Sequence, residues 1–215
     1  MSTTKFYIIR HGESLGNYKS VFLGHTDWDI TERGYKQADM TAEALRHIHF
    51  DAIYSSDLIR AYNTALPNGK IHNIEVLKHT GLREIYAGEW EGKTREEITI
   101  GWGDLFPERW KHDFGTFTLP GGENIQSAGK RFKKALEDIA NENEGKTVLI
   151  VSHAAVIRAF YASILGIAPE DVGDKLPFPS NASYSFVEYE NNEFAPIFYS
   201  KDEHMGELVT KIVYS

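Results

Sequence analysis

Residues 6–17 read FYIIRHGESLGN, so four apolar side chains run without a break into an arginine, a histidine and a glycine. An apolar run without polar alternation fits a strand buried on both faces, as inside a parallel sheet covered by helices. Such a strand rarely drives into two polar side chains unless its end opens onto a site. The pattern recurs at TVLIVSH (147–153) and, in shorter form, at DAIYSS (51–56). Helical stretches lie between these strands. Residues 31–49 are opened by Thr31 with an acidic first turn, and a second helix begins at Asp57 and ends near Pro67–Gly69. Two more follow in PGGENIQSAGKRFKKALEDIANEN and in AAVIRAFYASILG, the latter closed by Gly166. Strands alternating with helices predict an α/β fold, a mostly parallel sheet flanked by helices on both faces. ASYSFVEYE and FAPIFYS, separated by NNE, predict a hairpin that supplies an antiparallel edge.

Bulk properties limit the partners. The chain has 215 residues, 41% of them hydrophobic and 25% charged, which fits one ordinary globular domain, 1–215, with a small insertion. Net charge is −8, so a nucleic-acid or anionic-membrane surface, which needs a basic footprint, is not expected. A small anionic substrate stays open, because a few arginines in a cleft set the local potential. Cysteine is absent, which excludes disulfides and thiolate metal sites and fits a reducing compartment. The first strand begins within a few residues of Met1 and no apolar run is long enough to span a bilayer, so a cytoplasmic protein is expected.

In an open parallel sheet, ligands bind beyond the carboxyl ends of the strands. One strand ends in Arg10-His11-Gly12-Glu13, another in Ser152-His153-Ala154, and the third in Ser55-Ser56-Asp57 with Arg60 one turn further on. Two histidines and two arginines thus fall at one sheet edge. Histidine serves as a nucleophile and arginine forks bind phosphate, so the constellation points to phosphoryl chemistry.

RHGES, FLGHTDWDITERGYKQA, SSDLIRAYNTA, LREIYAGEWEG and SHAAVIR, in that order, resemble the histidine phosphatase superfamily, in its phosphoglycerate mutase-like branch. The resemblance runs from about residue 5 to about residue 190. It implies that His11 is the nucleophile of a phosphohistidine intermediate, with Arg10, Arg60 and His153 around the transferred phosphoryl group. It further implies a phosphate hydrogen bond from Asn17 and a general acid at Glu84, a role that calls for a carboxyl able to hold a proton at working pH. Spacing alone leaves Glu84, Glu89 and Glu91 open as the acid; only the motif selects Glu84. Gly12 is expected to let the backbone turn tightly beside the nucleophile. No metal and no cofactor is called for, since guanidinium and imidazolium groups carry the positive charge. His25 lies in a loop that passes close to the phosphate site in the family, and Asn181 opens the edge strand near the pocket.

Residues 94–118 are read as a helical insertion that caps the site. Trp102, Phe106, Trp110 and Phe114 recur every four residues, an aromatic stripe on one helical face, with Phe117 just beyond. Trp102, Arg109 and Trp110 are the expected substrate-lid residues, and Arg109, Lys111 and His112 are candidates for a second anionic group. Mutases of this branch carry a larger, basic insertion, so the short aromatic one favours a phosphomonoester hydrolase acting on a small phosphorylated metabolite. A cofactor-dependent phosphoglycerate mutase is the alternative, and a non-catalytic phosphometabolite sensor a third reading. A homodimer, through the edge strand or the insertion, stays open, as does the role of the tail LVTKIVY.

Overall fold

A computed structural model describes residues 2–103, 106 and 108–210. The end of the tail (211–215) and three cap residues (104, 105 and 107) lie outside the described residues. The strands are β1 (Thr4–Arg10), β2 (Val21–Phe22), β3 (Ala52–Ser55), β4 (Val76–Lys78), β5 (Lys93–Thr94), β6 (Thr147–Ser152), β7 (Tyr184–Glu190) and β8 (Glu193–Lys201). The helices that matter here are α1 (Leu15–Tyr18), α2 (Glu32–Leu45), α3 (Ile59–His72), α4 (Arg95–Trp102), α5 (Glu108–His112), α6 (Ile125–Glu142) and α7 (Ala154–Ile164).

Six strands form one sheet in the order β4-β3-β6-β1-β7-β8, and β2 with β5 forms a small second sheet. The first four are mutually parallel; β7 and β8 are the antiparallel edge. Alternation within the apolar runs explains why helices cover both faces. Phe6, Ile8, Val148 and Ile150 pack with Phe132, Leu136 and Phe160 of α6 and α7. Ile9, Leu149 and Val151 pack with Leu45 of α2 and with Ala61 and Ala65 of α3. Thr31 caps α2 by accepting the Gly34 amide at 3.0 Å, and Asn124 caps α6 by accepting the Gln126 amide at 2.9 Å. The β7–β8 turn carries Asn191 and Asn192, both at positive φ, as a two-residue hairpin with right-handed strand twist requires. Among the described residues, no helix is long and apolar enough to cross a membrane.

Register sets the site. Arg10 of β1 pairs with Ser152 of β6, and Ser55 of β3 pairs with Val151, so the three strands end at one level. Because β7 is antiparallel to β1, its start meets the end of β1. The Ala182 amide donates to the Arg10 carbonyl at 3.0 Å and the Arg10 amide to the Ser183 carbonyl at 3.1 Å.

Three local expectations need correction. The helix begun after Asp57 does not stop near Pro67 but continues through it to His72, closed by Asn73 in the left-handed region. Residues beyond the proline, Asn68 and Gly69, are buried, so tertiary packing outweighs the lost backbone bond. The aromatic stripe is not one helix: α4 ends at Gly103, at φ +59°, and α5 is a separate short turn. Gly12, finally, is not at positive φ. A Cβ there would stand 2.6 Å from the Gly34 carbonyl oxygen, and one on Gly34 would stand 2.3 Å from that of Glu13. Paired glycines are required because the site loop and the first turn of α2 touch backbone to backbone.

Gly34→Ala is therefore expected to destabilise the chain by about 2 kcal/mol or more, since neither backbone can yield. Gly101→Ala, in α4 with open space around it, is expected to be neutral or to stabilise by about 0.5 kcal/mol. Urea unfolding of both variants checks the opposite signs.

Candidate active site

His11 and His153 each follow a paired residue at the ends of β1 and β6, and their ring centroids lie 5.2 Å apart. The His11 amide donates to the Ser152 carbonyl at 2.9 Å, which ties the two strand ends together. Both side chains are buried. His11 Nδ1 lies 2.7 Å from the carbonyl oxygen of Gly12. A carbonyl only accepts, so Nδ1 carries the hydrogen and Nε2 of the neutral ring keeps its lone pair. Burial, followed by the adjacent Arg10 and Arg60 charges, pushes His11 well below the usual histidine range. His153 is lowered in the same way, by burial first and then by Arg60 and His11. Neither ring nitrogen of His153 has a protein hydrogen-bond partner among the described residues.

The two arginines are anchored by backbone carbonyls. Arg60 Nη1 and Nη2 donate to Thr26 (2.9 Å) and Gly24 (2.6 Å), and Arg10 Nη1 donates to Pro179 (2.6 Å). Burial pulls Arg60 down to about 10, which still leaves it cationic at neutral pH. These neutral oxygens orient the two guanidinium groups, and the carboxylates of Glu84, Asp27 and Glu91 lie close enough to Arg60 to favour its charged form.

Geometry separates the three candidate carboxylates. Glu91 accepts four bonds, from the amides of His25 (2.8 Å), Thr26 (2.7 Å) and Ala87 (2.9 Å) and from the Thr26 hydroxyl (2.7 Å), and so fastens one loop to the next. Glu89 is exposed and off the cavity. Glu84 lines the cavity beside His11, Arg10 and Arg60. Its Oε1 accepts the Ile85 and Val156 amides at 2.9 and 3.3 Å, and Oε2 the Ala155 amide at 3.2 Å, which sets the carboxylate on the first turn of α7. His25 Nε2 lies 2.8 Å from the Glu84 carbonyl, to which it donates.

Asn17 lines the same cavity. Its Oδ1 accepts from the Ser14 amide (3.1 Å), the Ser14 hydroxyl (3.0 Å) and Asn181 Nδ2 (3.1 Å), which leaves its own amide hydrogens to a ligand. Asn181 Nδ2 also donates to the His11 carbonyl at 3.0 Å.

The expected lid residues separate. Trp110 is on the cavity wall with Phe22, Phe106 and Phe178, while Trp102 and Arg109 are not. Trp102 packs against Trp90, ring centroids 6.5 Å apart, at the back of the aromatic cluster. Arg109 is half-exposed and paired with Asp113 at 2.9 Å. His112 turns to Asp174 at 3.2 Å, and neither it nor Lys111 lines the cavity. The cation on the cavity wall from this segment is Arg95, at the start of α4. Sequence reading passed over Arg95, although its place right after the LREIYAGEWEG motif was a usable signal. It also passed over Phe178, which stacks on Arg158 with its ring centroid 4.1 Å from the guanidinium carbon. No periodicity marks that loop residue.

Stability should fall in acid because of the buried histidine pair. An unfolded histidine titrates near 6.5, whereas His11 and His153 titrate lower when folded. Below 6.5 the unfolded chain therefore binds protons that the folded chain refuses. Each histidine removes up to about 1.4 kcal/mol of stability per pH unit until its folded pKa is reached. Urea unfolding between pH 7.5 and 5.5 should show a shallower loss for His153→Asn than for the parent chain; equal slopes would contradict the burial argument.

The model of the histidine phosphatase superfamily (branch 1) matches residues 6–201. Phosphoserine phosphatase 1 of Hydrogenobacter thermophilus is 35% identical over 205 residues, 95% of this chain and 95% of that protein. The 2,3-bisphosphoglycerate-dependent phosphoglycerate mutase of Bartonella tribocorum is 31% identical over 172 residues, 77% of this chain and 83% of that one. The crystal structure of phosphoserine phosphatase from Entamoeba histolytica, in complex with 3-phosphoglyceric acid, superposes with a TM-score of 0.79 at 30% identity. It covers 94% of this chain and 99% of that one. The chain belongs to the histidine phosphatase superfamily.

Proposed function

We propose, from this membership and from the site, that the chain is a metal-independent phosphomonoester hydrolase that works through a phosphohistidine on His11. The observation that carries the reading is the buried His11 ring, its Nδ1 hydrogen committed to Gly12 and its Nε2 lone pair free, between two anchored arginines. Arg10, Arg60, His153 and Asn17 would hold the three non-bridging oxygens of the phosphoryl group. Nε2 attacks phosphorus, the bond to the leaving oxygen breaks, and Glu84 gives that oxygen its proton. Glu84, now a carboxylate, takes a proton from water as the water attacks phosphorus. The P–N bond then breaks to release phosphate and restore neutral His11.

We read the substrate as a small phosphorylated metabolite with a second anionic group. Beyond the phosphate pocket, Phe22, Phe106, Trp110 and Phe178 offer little polar recognition, and Arg95 is the cation on that wall. The relatives named for phosphoserine, one of them solved in complex with 3-phosphoglyceric acid, support a carboxylate as that group. We treat the whole chain as one catalytic domain with residues 94–118 as its cap, acting in the cytoplasm, as the lack of cysteine suits. Transfer of the phosphoryl group to a second substrate oxygen, as the mutase relatives' name describes, is the competing outcome.

Phosphate release over a panel of small phosphomonoesters, with 3-phosphoglycerate run with and without its bisphosphate, separates the two. Release independent of bisphosphate is expected, and EDTA should leave it unchanged. Isomerisation with little free phosphate would make the chain a mutase. His11→Ala should lower turnover on the order of 10⁴-fold or more while the fold persists; retained activity in that variant would sink the mechanism.

A further inference from the structure

Glu84 sits in a stretch that no sheet ladder or regular helix holds, between two single-turn 3₁₀ segments at 80–82 and 88–90. Several contacts tie it down: the Arg83 pair with Asp57 (Nε to Oδ1 2.7 Å), the His25 donation to the Glu84 carbonyl, and Arg131, on α6. Arg131 Nη1 donates to the carbonyls of Gly81 (3.0 Å) and Arg83 (2.9 Å), and Nη2 donates to that of Glu84 (3.0 Å). Its Nε and Nη2 also grip the Glu123 carboxylate at 3.1 and 2.9 Å. Glu123 accepts the Tyr86 amide at 2.8 Å and returns its own amide to the Tyr86 carbonyl at 2.9 Å. The Arg131–Glu123 fork-to-fork ion pair thus grips the backbone on both sides of Glu84. Neither Arg131 nor Glu123 lines the cavity.

We infer that Arg131 and Glu123 are positioning residues for proton transfer, holding the Glu84 carboxyl where it meets the leaving oxygen. The inference rests on Glu84 being the acid of the proposed reaction. As Nε2 binds phosphorus and the ester P–O bond breaks, an alkoxide leaving group needs a proton at that moment, whereas 4-nitrophenolate leaves without one. A carboxyl displaced by about 1 Å loses most of its advantage. A loosened clamp therefore slows alkyl esters selectively. A clamp that served only the fold would slow both substrates alike.

The test compares kcat/KM for the best alkyl phosphate of the panel with that for 4-nitrophenyl phosphate, since this ratio reports the steps through leaving-group departure. Arg131→Lys keeps the charge but cannot fork. Glu123→Gln keeps the shape and still accepts from Tyr86, which provides a second variant if the first folds poorly. Each is expected to lose about 30-fold or more on the alkyl ester and less than about 3-fold on the nitrophenyl ester. Glu84→Gln, run beside them, should lean the same way and further. Equal losses on both esters in the clamp variants, or none, would overturn the inference while a biased Glu84→Gln leaves the acid assignment standing. An unbiased Glu84→Gln would overturn both.

Discussion

The parallel pairing of β1 with β6, in the register that sets Arg10 opposite Ser152, is the constraint on which the site depends. A slip of one residue along either strand would turn its core-facing side chains to the opposite face and part His11 from His153. Side chains that alternate between two separate cores enforce the register: Phe6, Ile8, Val148 and Ile150 on one face, Ile9, Leu149 and Val151 on the other. The apolar runs therefore do more than bury area. They deliver two imidazoles to the same level and hold them there.

Burying two arginines and two histidines together carries a desolvation cost, and the structure meets it differently for each type. Loop carbonyls accept from Arg60 Nη1 and Nη2 and from Arg10 Nη1, and Glu91 fastens the loop that supplies two of them. For the imidazoles, burial favours the neutral form instead. The nearby carboxylates are committed to backbone amides: Glu84 accepts from the first turn of α7, and Glu91 from loop amides. A net-negative protein thus gathers two buried arginines at one edge of its sheet.

The parallel strands, the flanking helices, the hairpin and the meeting of Arg10, His11, Arg60 and His153 at one edge were all legible, because apolar runs and strand ends are local signals. In sequence, Glu84, Glu89 and Glu91 are separable by resemblance alone; in the fold, Glu84 is the one of the three that reaches both the cavity and the start of α7. Gly12 also meets Gly34 backbone to backbone, a contact too distant in sequence for any local pattern to reveal. The aromatic stripe misled because a four-residue period also arises when separate short segments converge on one buried ring, here Trp90. Arg109 pairs with Asp113 four residues away and stays off the cavity, whereas Arg95 lines its wall. Arg131 is an ordinary helix arginine until its carbonyl partners are seen.

The most direct test of a covalent route through His11 is to quench the enzyme in alkali within milliseconds of mixing it with substrate and map the adduct by mass spectrometry. One phosphoryl group on the peptide that carries His11, stable in alkali and lost in acid as a phosphoramidate should be, is the predicted result. Steady turnover with no trapped adduct on any histidine, or an adduct at a residue other than His11, would contradict the account.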